Sequence, residues 1–184
     1  MPRLGLESWL CLMHEVGVLR QPLAFGRAHA SITLSENGAV ATFGAQDYLD
    51  RVAATKAVMQ SGRHFVQFTV VSGDDMMFGV VRPGWDVEEE ALAYDPDGHC
   101  FYHTYSGRRF PGYHDWEGSQ TAKEQGDRIG MLLDLDQGSM SVWKGDEKLG
   151  VMQAEGLSGP LCWAVSMPPR NIARVDSAAL PEQL

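Results

Sequence analysis

The 184-residue sequence lacks the features of secreted, membrane-spanning and nucleic-acid-binding proteins. Its only three cysteines, Cys11, Cys100 and Cys162, are scattered, so the sequence favours a reducing, intracellular (cytoplasmic) compartment over a disulfide framework. No apolar run approaches the roughly 20 residues that span a bilayer, and the run at 9–13 is too short for a secretion signal. The formal net charge of -9 disfavours nucleic acid and anionic membranes as partners.

Helical periodicity is also nearly absent, and short runs of alternating apolar residues take its place. The clearest run, 64–71, places Val66, Phe68 and Val70 on one face and Gln67 and Thr69 on the other. Glycine, proline, aspartate and asparagine separate these runs, as is typical of a many-stranded sandwich. The pattern predicts an all-β fold.

Turn residues predict how the strands connect. The turn 72–75 predicts a hairpin between the strand at 64–71 and a strand at 76–81. Strands at 129–136, 139–144 and 149–152 form a predicted three-stranded meander. Strands at 31–34 and 39–43 flank an Asn-Gly turn, and the last two strands are expected at 161–166 and 171–176.

The sequence indicates one domain over residues 31–178, with sheet structure beginning near residue 31. Residues 1–30 are expected to be an extension packed on this domain, short and irregular or helical, with 7–18 as the candidate helix. Residues 179–184 are expected to form a C-terminal tail.

The meander carries a family resemblance. Residues 126–136 (Gly-Asp-Arg-Ile-Gly-Met-Leu-Leu-Asp-Leu-Asp), followed by 138–144 (Gly-Ser-Met-Ser-Val-Trp-Lys) and 149–151 (Leu-Gly-Val), resemble the signature of the SPRY domain family. Residues 61–70 and 78–81 resemble two earlier strands of that family, and 159–166 resemble a late one. The resemblance covers roughly residues 31–176, in the family's order.

This resemblance implies a twisted two-sheet antiparallel β-sandwich of the PRY-SPRY, concanavalin-like jelly-roll type. It also implies a non-enzymatic module whose loops at one rim recognise a peptide or a folded protein partner. Many relatives are attached to ubiquitin-ligase or scaffold modules, so such modules in a larger chain are expected partners. No cofactor is expected, because the sequence contains no phosphate-binding glycine motif. The G-x-S-x-G elbow that holds a catalytic serine does not occur either.

The candidate partner surface consists of aromatic and charged residues in predicted loops, since Trp, Tyr and Arg are enriched at interfaces. These residues are Arg82, Trp85, Asp86, Tyr105, Arg108, Arg109, Tyr113 and Trp116. Arg170 and Asn171 border the same rim if the loop 168–171 lies at the same end, a point that the sequence leaves open. The alternative for Trp85 and Trp116 is that they plug one end of the sandwich.

Other chemistries remain as alternatives. A zinc site would need His99 and His103 to converge with Cys100, which points to the opposite face of a strand, so no metal is expected. The aspartates at 95–98 and 134–136 are expected to lie in turns and strand ends. A lectin-type, carbohydrate-binding sandwich would use exposed tryptophan and tyrosine beside acidic residues. A Cys-His hydrolase would use Cys100 near His103.

Overall fold

Fourteen strands form two β-sheets in the computed structural model, which describes residues 18–19, 23–44, 49–88 and 99–179. The larger sheet contains β1 (Val18–Leu19), β3 (Ile32–Ser35), β4 (Val40–Phe43), β6 (Arg63–Ser72), β10 (Arg128–Asp134), β11 (Ser139–Lys144), β12 (Glu147–Gln153) and β14 (Asn171–Asp176). The smaller sheet contains β2 (Phe25–Ala28), β5 (Arg51–Thr55), β7 (Met77–Val81), β8 (Cys100–His103), β9 (Arg109–Phe110) and β13 (Cys162–Met167). A short 3-10 turn at Glu36–Gly38 joins β3 to β4.

The strand order confirms the expected two-sheet sandwich. The larger sheet runs β12-β11-β10-β6-β14-β4-β3, with β1 pairing beside the start of β6, and the smaller sheet runs β2-β5-β13-β7-β8-β9. All pairs are antiparallel except β1 with β6. The predicted meander (β10 to β12) and the predicted hairpin of β3 and β4 are both present.

The sandwich core lies between the facing sheets, where the two-residue period of the strands places their apolar side chains. Val66, Phe68 and Val70 of β6 are completely buried, as the alternation predicts. The Phe68 ring stacks on Phe78 of β7 at a centroid distance of 4.8 Å and meets Trp163 of β13 edge-on at 6.3 Å. Each such ring contributes about 1.5–3 kcal/mol by leaving water, so these contacts hold the sheets together.

The smaller sheet also buries part of its outer face. Phe101, Met77 and Val81 form a second apolar cluster there, and the partly buried Trp85 and Phe110 pack against it. The outer face of the smaller sheet is therefore the side on which loop aromatics gather.

Two predictions about the strands are wrong, one on their connection and one on where the first strand begins. β6 and β7 do not form a hairpin, because β7 lies between β13 and β8 in the smaller sheet and residues 73–76 carry the chain across the sandwich. Turn-forming residues reverse a chain equally well within one sheet and between two sheets. Sheet structure also begins before residue 31, with β1 and β2. The candidate helix lies outside the described residues apart from Val18, which belongs to β1.

The described residues contain no helix with the length and apolar character needed to cross a bilayer.

Candidate functional site

The predicted site residues lie at two opposite ends of the smaller sheet. β7 and β8 pair antiparallel, with Met77 opposite His103 and Val80 opposite Cys100. Arg82 and Trp85, which follow β7, therefore lie at the end where β8 begins, whereas Tyr105 follows its other end. Strand β8 separates the two groups by roughly 10–15 Å at about 3.3 Å per residue.

The loop 168–171 lies at the same end as Tyr105, because Ser166 of β13 pairs with Met77. Arg170 is exposed in this loop and has a positive φ of 69°. Asn171 is only 5% exposed, and its side-chain Nδ2 donates to the carbonyl oxygens of Pro168 and Pro169 at 3.1 and 3.2 Å. Asn171 therefore fixes the loop from inside, and Arg170 is the residue that faces solvent.

Four rings form a continuous group at this end, which we call the aromatic patch (His103, Tyr105, Phe110 and Tyr113). Ring centroids lie 5.5 Å apart for His103 and Phe110, and 5.1 Å apart for Phe110 and Tyr113. Tyr105 lies 6.4 Å from His103. The two tyrosines are the exposed members, at 50% for Tyr105 and 45% for Tyr113.

Cations flank both exposed rings. The Cζ atom of Arg108 lies 4.2 Å from the Tyr113 ring centroid, and Nζ of Lys123 lies 4.5 Å from that of Tyr105. Arg108 Nε also donates to Asp115 Oδ1 at 2.8 Å. This hydrogen bond is the main cause that raises the pKa of Arg108 above its ordinary value. Asp115 therefore helps to hold the guanidinium next to the Tyr113 ring.

Polar contacts of His103 fasten the patch to neighbouring loops. Its Nε2 lies 2.5 Å from Asp75 Oδ1, and its Nδ1 lies 2.8 Å from Ser106 Oγ. The order of an acid, an imidazole and a hydroxyl matches that of a hydrolytic triad. Ser106 Oγ, however, also accepts the backbone N–H of Arg108 at 3.3 Å, within one tight turn. We interpret these contacts as fixing that turn.

Trp85 covers the outer face of the smaller sheet at the opposite end. Its ring is partly buried and meets the His99 ring edge-on, with the ring centroids 5.3 Å apart. Its backbone carbonyl oxygen accepts a hydrogen bond from Nη1 of Arg27 at 3.1 Å. The neighbouring Asp86 is exposed, and its Oδ1 accepts the backbone N–H of Glu88 at 2.9 Å. Trp85 thus packs against the sheet, and Asp86 shapes the loop.

Two predicted residues share a cavity at this end. Arg82 and Arg109 line a space of about 120 Å³ between β9 and the loop that follows β12. Arg82 lies in the loop after β7 and Arg109 lies in β9, 27 positions later, so the sequence does not reveal that they are close together.

Trp116 holds the long loop after β9. Its Nε1 donates to the carbonyl oxygen of Gly107 at 2.7 Å, and its ring packs against the main core. Gly118 leaves room for this ring, since a Cβ atom at Gly118 would meet it at 2.5 Å. Trp116 therefore joins this loop to the main core.

No family model matches the sequence. The structure matches the crystal structure of the SPRY domain of human HERC1 with a TM-score of 0.70 and 18% sequence identity, covering 86% of this chain and 99% of that one. A second human SPRY domain matches with a TM-score of 0.65 and 16% identity, covering 82% of this chain and 97% of that one. The chain has the SPRY fold. The fold implied by the sequence resemblance is thereby confirmed.

The SPRY sandwich separates the residues of the zinc and hydrolase alternatives. Cys100 points into the main core and is 1% exposed, whereas His99 and Phe101 contact each other on the outer face. Burial raises the pKa of the Cys100 thiol to about 12. The described part of the chain contains no group of three or more potential metal ligands.

The aspartates at 134–136 lie in a turn, as expected. Asp134 Oδ1 accepts the backbone N–H groups of Asp136 and Gln137, both at 3.0 Å, and Asp136 Oδ1 accepts that of Gly62 at 3.0 Å. The other aspartate-containing segment, 95–98, lies outside the described residues.

Sequence reasoning missed three residues that form or flank the aromatic patch, namely His103, Phe110 and Lys123. His103 was considered only as a metal ligand and as the base of a Cys-His hydrolase, although the two-residue period that it shares with Phe101 and Tyr105 could have placed it on the patch face. Phe110 and Lys123 carry no comparable local signal, because only the fold brings Lys123 to the Tyr105 ring.

Proposed function

We propose that this chain is a non-enzymatic interaction module that binds a peptide or folded protein through the aromatic patch. The observation that carries the proposal is the pair of half-exposed tyrosines, Tyr105 and Tyr113, each flanked by a cation. Tyrosine and arginine are over-represented among the residues that dominate binding energy at protein interfaces. A tyrosine ring removes much apolar area from water at a small cost in side-chain entropy.

The rigidity of the patch supports the same proposal. Tyr113 lies in a turn with a positive φ of 54°, and the Tyr113 ring packs between Phe110 and Arg108. Arg108 is in turn oriented by Asp115. A surface that is already ordered loses little conformational freedom on binding, so more of its contact energy appears as affinity.

The proposal divides the candidate residues by their contacts. Tyr105, Arg108, Tyr113 and the exposed Arg170 belong to the end of the sandwich that carries the patch. Trp85, Trp116 and Asn171 act on binding only through the loops that they hold.

Peptide selection followed by calorimetry tests the proposal. Peptides selected from a phage-displayed library on the immobilised domain are titrated into the wild type and into Tyr113→Ala. Val151→Ala is the matched control, because Val151 is 48% exposed on the edge strand β12 and lies outside the patch. We expect Tyr113→Ala to weaken binding by about thirtyfold, equivalent to about 2 kcal/mol, and Val151→Ala to have no effect.

Equal affinities of both variants would contradict the proposal. Calcium-dependent binding on a glycan array, with no peptide selected, would favour the lectin-type alternative.

The proposal extends to the setting of the domain. Cys100 and Cys162 are free and buried, which supports a reducing compartment such as the cytoplasm. The resemblance to SPRY domains supports a role in which a ubiquitin-ligase or scaffold module in a larger chain acts on the partner that this domain recruits.

A further inference from the structure

A small cavity lined by two arginines, and by no acid among the described residues, lies where β8 begins, at the end of the smaller sheet away from Tyr105. Arg82 and Arg109 line it, with Gln153 and Ser158 as polar neighbours and Pro111 and Leu157 as apolar ones. None of the described residues that line it carries a carboxylate. The whole chain has 24 acidic and 15 basic residues. Because acidic residues outnumber basic ones, two neighbouring arginines without an acid beside them are not expected from composition.

Both guanidinium groups are positioned by neutral oxygens. Arg82 Nη1 donates to the carbonyl oxygen of Ser158 at 2.5 Å, and its Nη2 lies 3.4 Å from Ser158 Oγ. Arg109 Nη1 donates to Oε1 of Gln153. These contacts orient the two side chains. Each guanidinium has five N–H donors, so some donors on each arginine remain available for a ligand.

The charge of the two arginines is not compensated within the described residues. Arg108 has a carboxylate partner in Asp115, and Arg174 has partners in Glu36 and Asp176. No ion pair of this kind joins Arg82 or Arg109 to a described acid. Two pre-oriented forks with spare donors are suited to an anion, and arginine matches the two oxygens of a carboxylate especially well.

The size of the cavity limits the anion. A volume of about 120 Å³ is well below the roughly 300–1,000 Å³ of sites that enclose drug-sized ligands. It suits the end of one short side chain. Exposed loop residues, Gly156 and Ser158, border it, so a partner chain can approach from solvent.

We propose that this cavity binds the carboxylate of an aspartate or glutamate side chain on the protein partner. This inference rests on the proposed function, because it assigns a second contact to the same partner. The partner would present an acidic residue to the Arg82–Arg109 cavity and apolar groups to the aromatic patch.

Side-chain NMR of the intact chain tests the cavity separately from the patch. The probes are the blocked tripeptides acetyl-Ala-Glu-Ala-amide and acetyl-Ala-Gln-Ala-amide, which have the same shape and differ in charge. The signals are the Nε–H resonances of Arg82 and Arg109. We expect the glutamate peptide to shift both resonances in a saturable manner and the glutamine peptide to leave them unchanged.

Variants identify the cations responsible. Arg82→Gln and Arg109→Gln should each weaken binding of the glutamate peptide roughly tenfold, as expected for one charge-assisted contact. Arg128→Gln is the matched control, because it removes one positive charge from a half-exposed side chain that does not line the cavity. Backbone spectra of each variant verify that the fold is retained.

Three results would overturn the inference. They are equal shifts with both peptides, an equal loss in Arg128→Gln, and binding of a phosphoserine tripeptide when the glutamate peptide does not bind. Failure here would leave the tyrosine-dependent binding of selected peptides intact. Failure of the aromatic patch would leave the arginine resonances responsive to the glutamate peptide.

Discussion

Gly73 and Asn171 fit against each other so closely that the side-chain amide of Asn171 fills the space of a Cβ atom at Gly73. The contact joins the turn that leaves β6 to the turn that enters β14, and both turns connect the two sheets. At the end of the sandwich that carries the aromatic patch, these two turns can therefore pack together only because Gly73 has no side chain and leaves room for the buried amide of Asn171.

This relationship predicts that Gly73→Ala destabilises the protein by more than backbone strain alone. Gly126→Ala is the matched control, since Gly73 and Gly126 have φ of 90° and 92° but only Gly73 has a neighbour within 4 Å. We expect a loss of about 1–2 kcal/mol for Gly126→Ala from strain, and about 1–3 kcal/mol more for Gly73→Ala from overpacking. Chemical denaturation measures both, and equal losses would contradict the prediction. Adding Asn171→Ala should make Gly73→Ala less costly, because it removes the overlapping atoms.

A second prediction concerns the indole N–H of Trp116. Trp116→Phe should lower the free energy of unfolding by about 1–3 kcal/mol, because the buried carbonyl of Gly107 loses its donor. Tyr105→Phe is the control, and it should change stability by less than about 0.5 kcal/mol, because that ring is half exposed. Urea unfolding followed by circular dichroism compares the two. A stability of Trp116→Phe equal to wild type would show that the loop is held in another way.

The pH dependence of stability provides a third prediction, at Asp50. The pKa of Asp50 is raised above its ordinary value of 3.8, first by burial and then by the nearby Asp75, while His103 opposes the shift. The folded protein therefore keeps the Asp50 proton to a higher pH than the unfolded chain does. The stability that Asp50 contributes is fully present below about pH 4 and is lost as pH rises through the folded-state pKa.

Asp50→Asn should remove that loss. Its melting temperature should exceed that of the wild type at neutral pH, and the difference should vanish below about pH 4. Thermal unfolding at about eight pH values between pH 3.5 and pH 7.5 measures the difference in melting temperature between the two proteins. Asp146→Asn, at a side chain that is 95% exposed, should show no such trend. A constant difference at every pH would contradict the assignment to Asp50.

The sequence was sufficient to predict the elements with strong alternation. The meander of β10 to β12 and the strand β6 follow from their buried every-second residues, Ile129, Met131 and Leu133 among them. The strands β1, β2, β5 and β9 were not predicted. β1 and β9 have only two residues each, too few to establish a period, and β5 is buried at all five positions, so its burial does not alternate.

The candidate site was only partly predictable, because exposure is a property of the fold. Tyr113 and Trp116 are three residues apart in one loop, yet one ring is 45% exposed and the other is packed against the core. Local sequence does not distinguish them. The opposite placement of Arg82 and Tyr105 depends on the pairing of β7 with β8, which was mispredicted as a pairing of β7 with β6.

A fourth prediction concerns cysteine reactivity. Cys100 is buried with its thiol pKa raised to about 12, so almost none of it is thiolate at neutral pH. Iodoacetamide at pH 7.5 should leave Cys100 unmodified in the native protein and modify it after unfolding, as peptide mass mapping would show. Rapid native labelling of Cys100 would instead favour the Cys-His hydrolase alternative.

The central claim is that the partner sits on the aromatic patch, and site-specific photocrosslinking tests it most directly. The photoreactive residue benzoylphenylalanine replaces Tyr113 in one protein and Val151 in another, since both positions are about half exposed. Each protein is irradiated with a selected peptide, and mass spectrometry identifies the crosslinked product. The account predicts efficient crosslinking from position 113 and none from position 151. Crosslinking from position 151 with none from position 113 would contradict it.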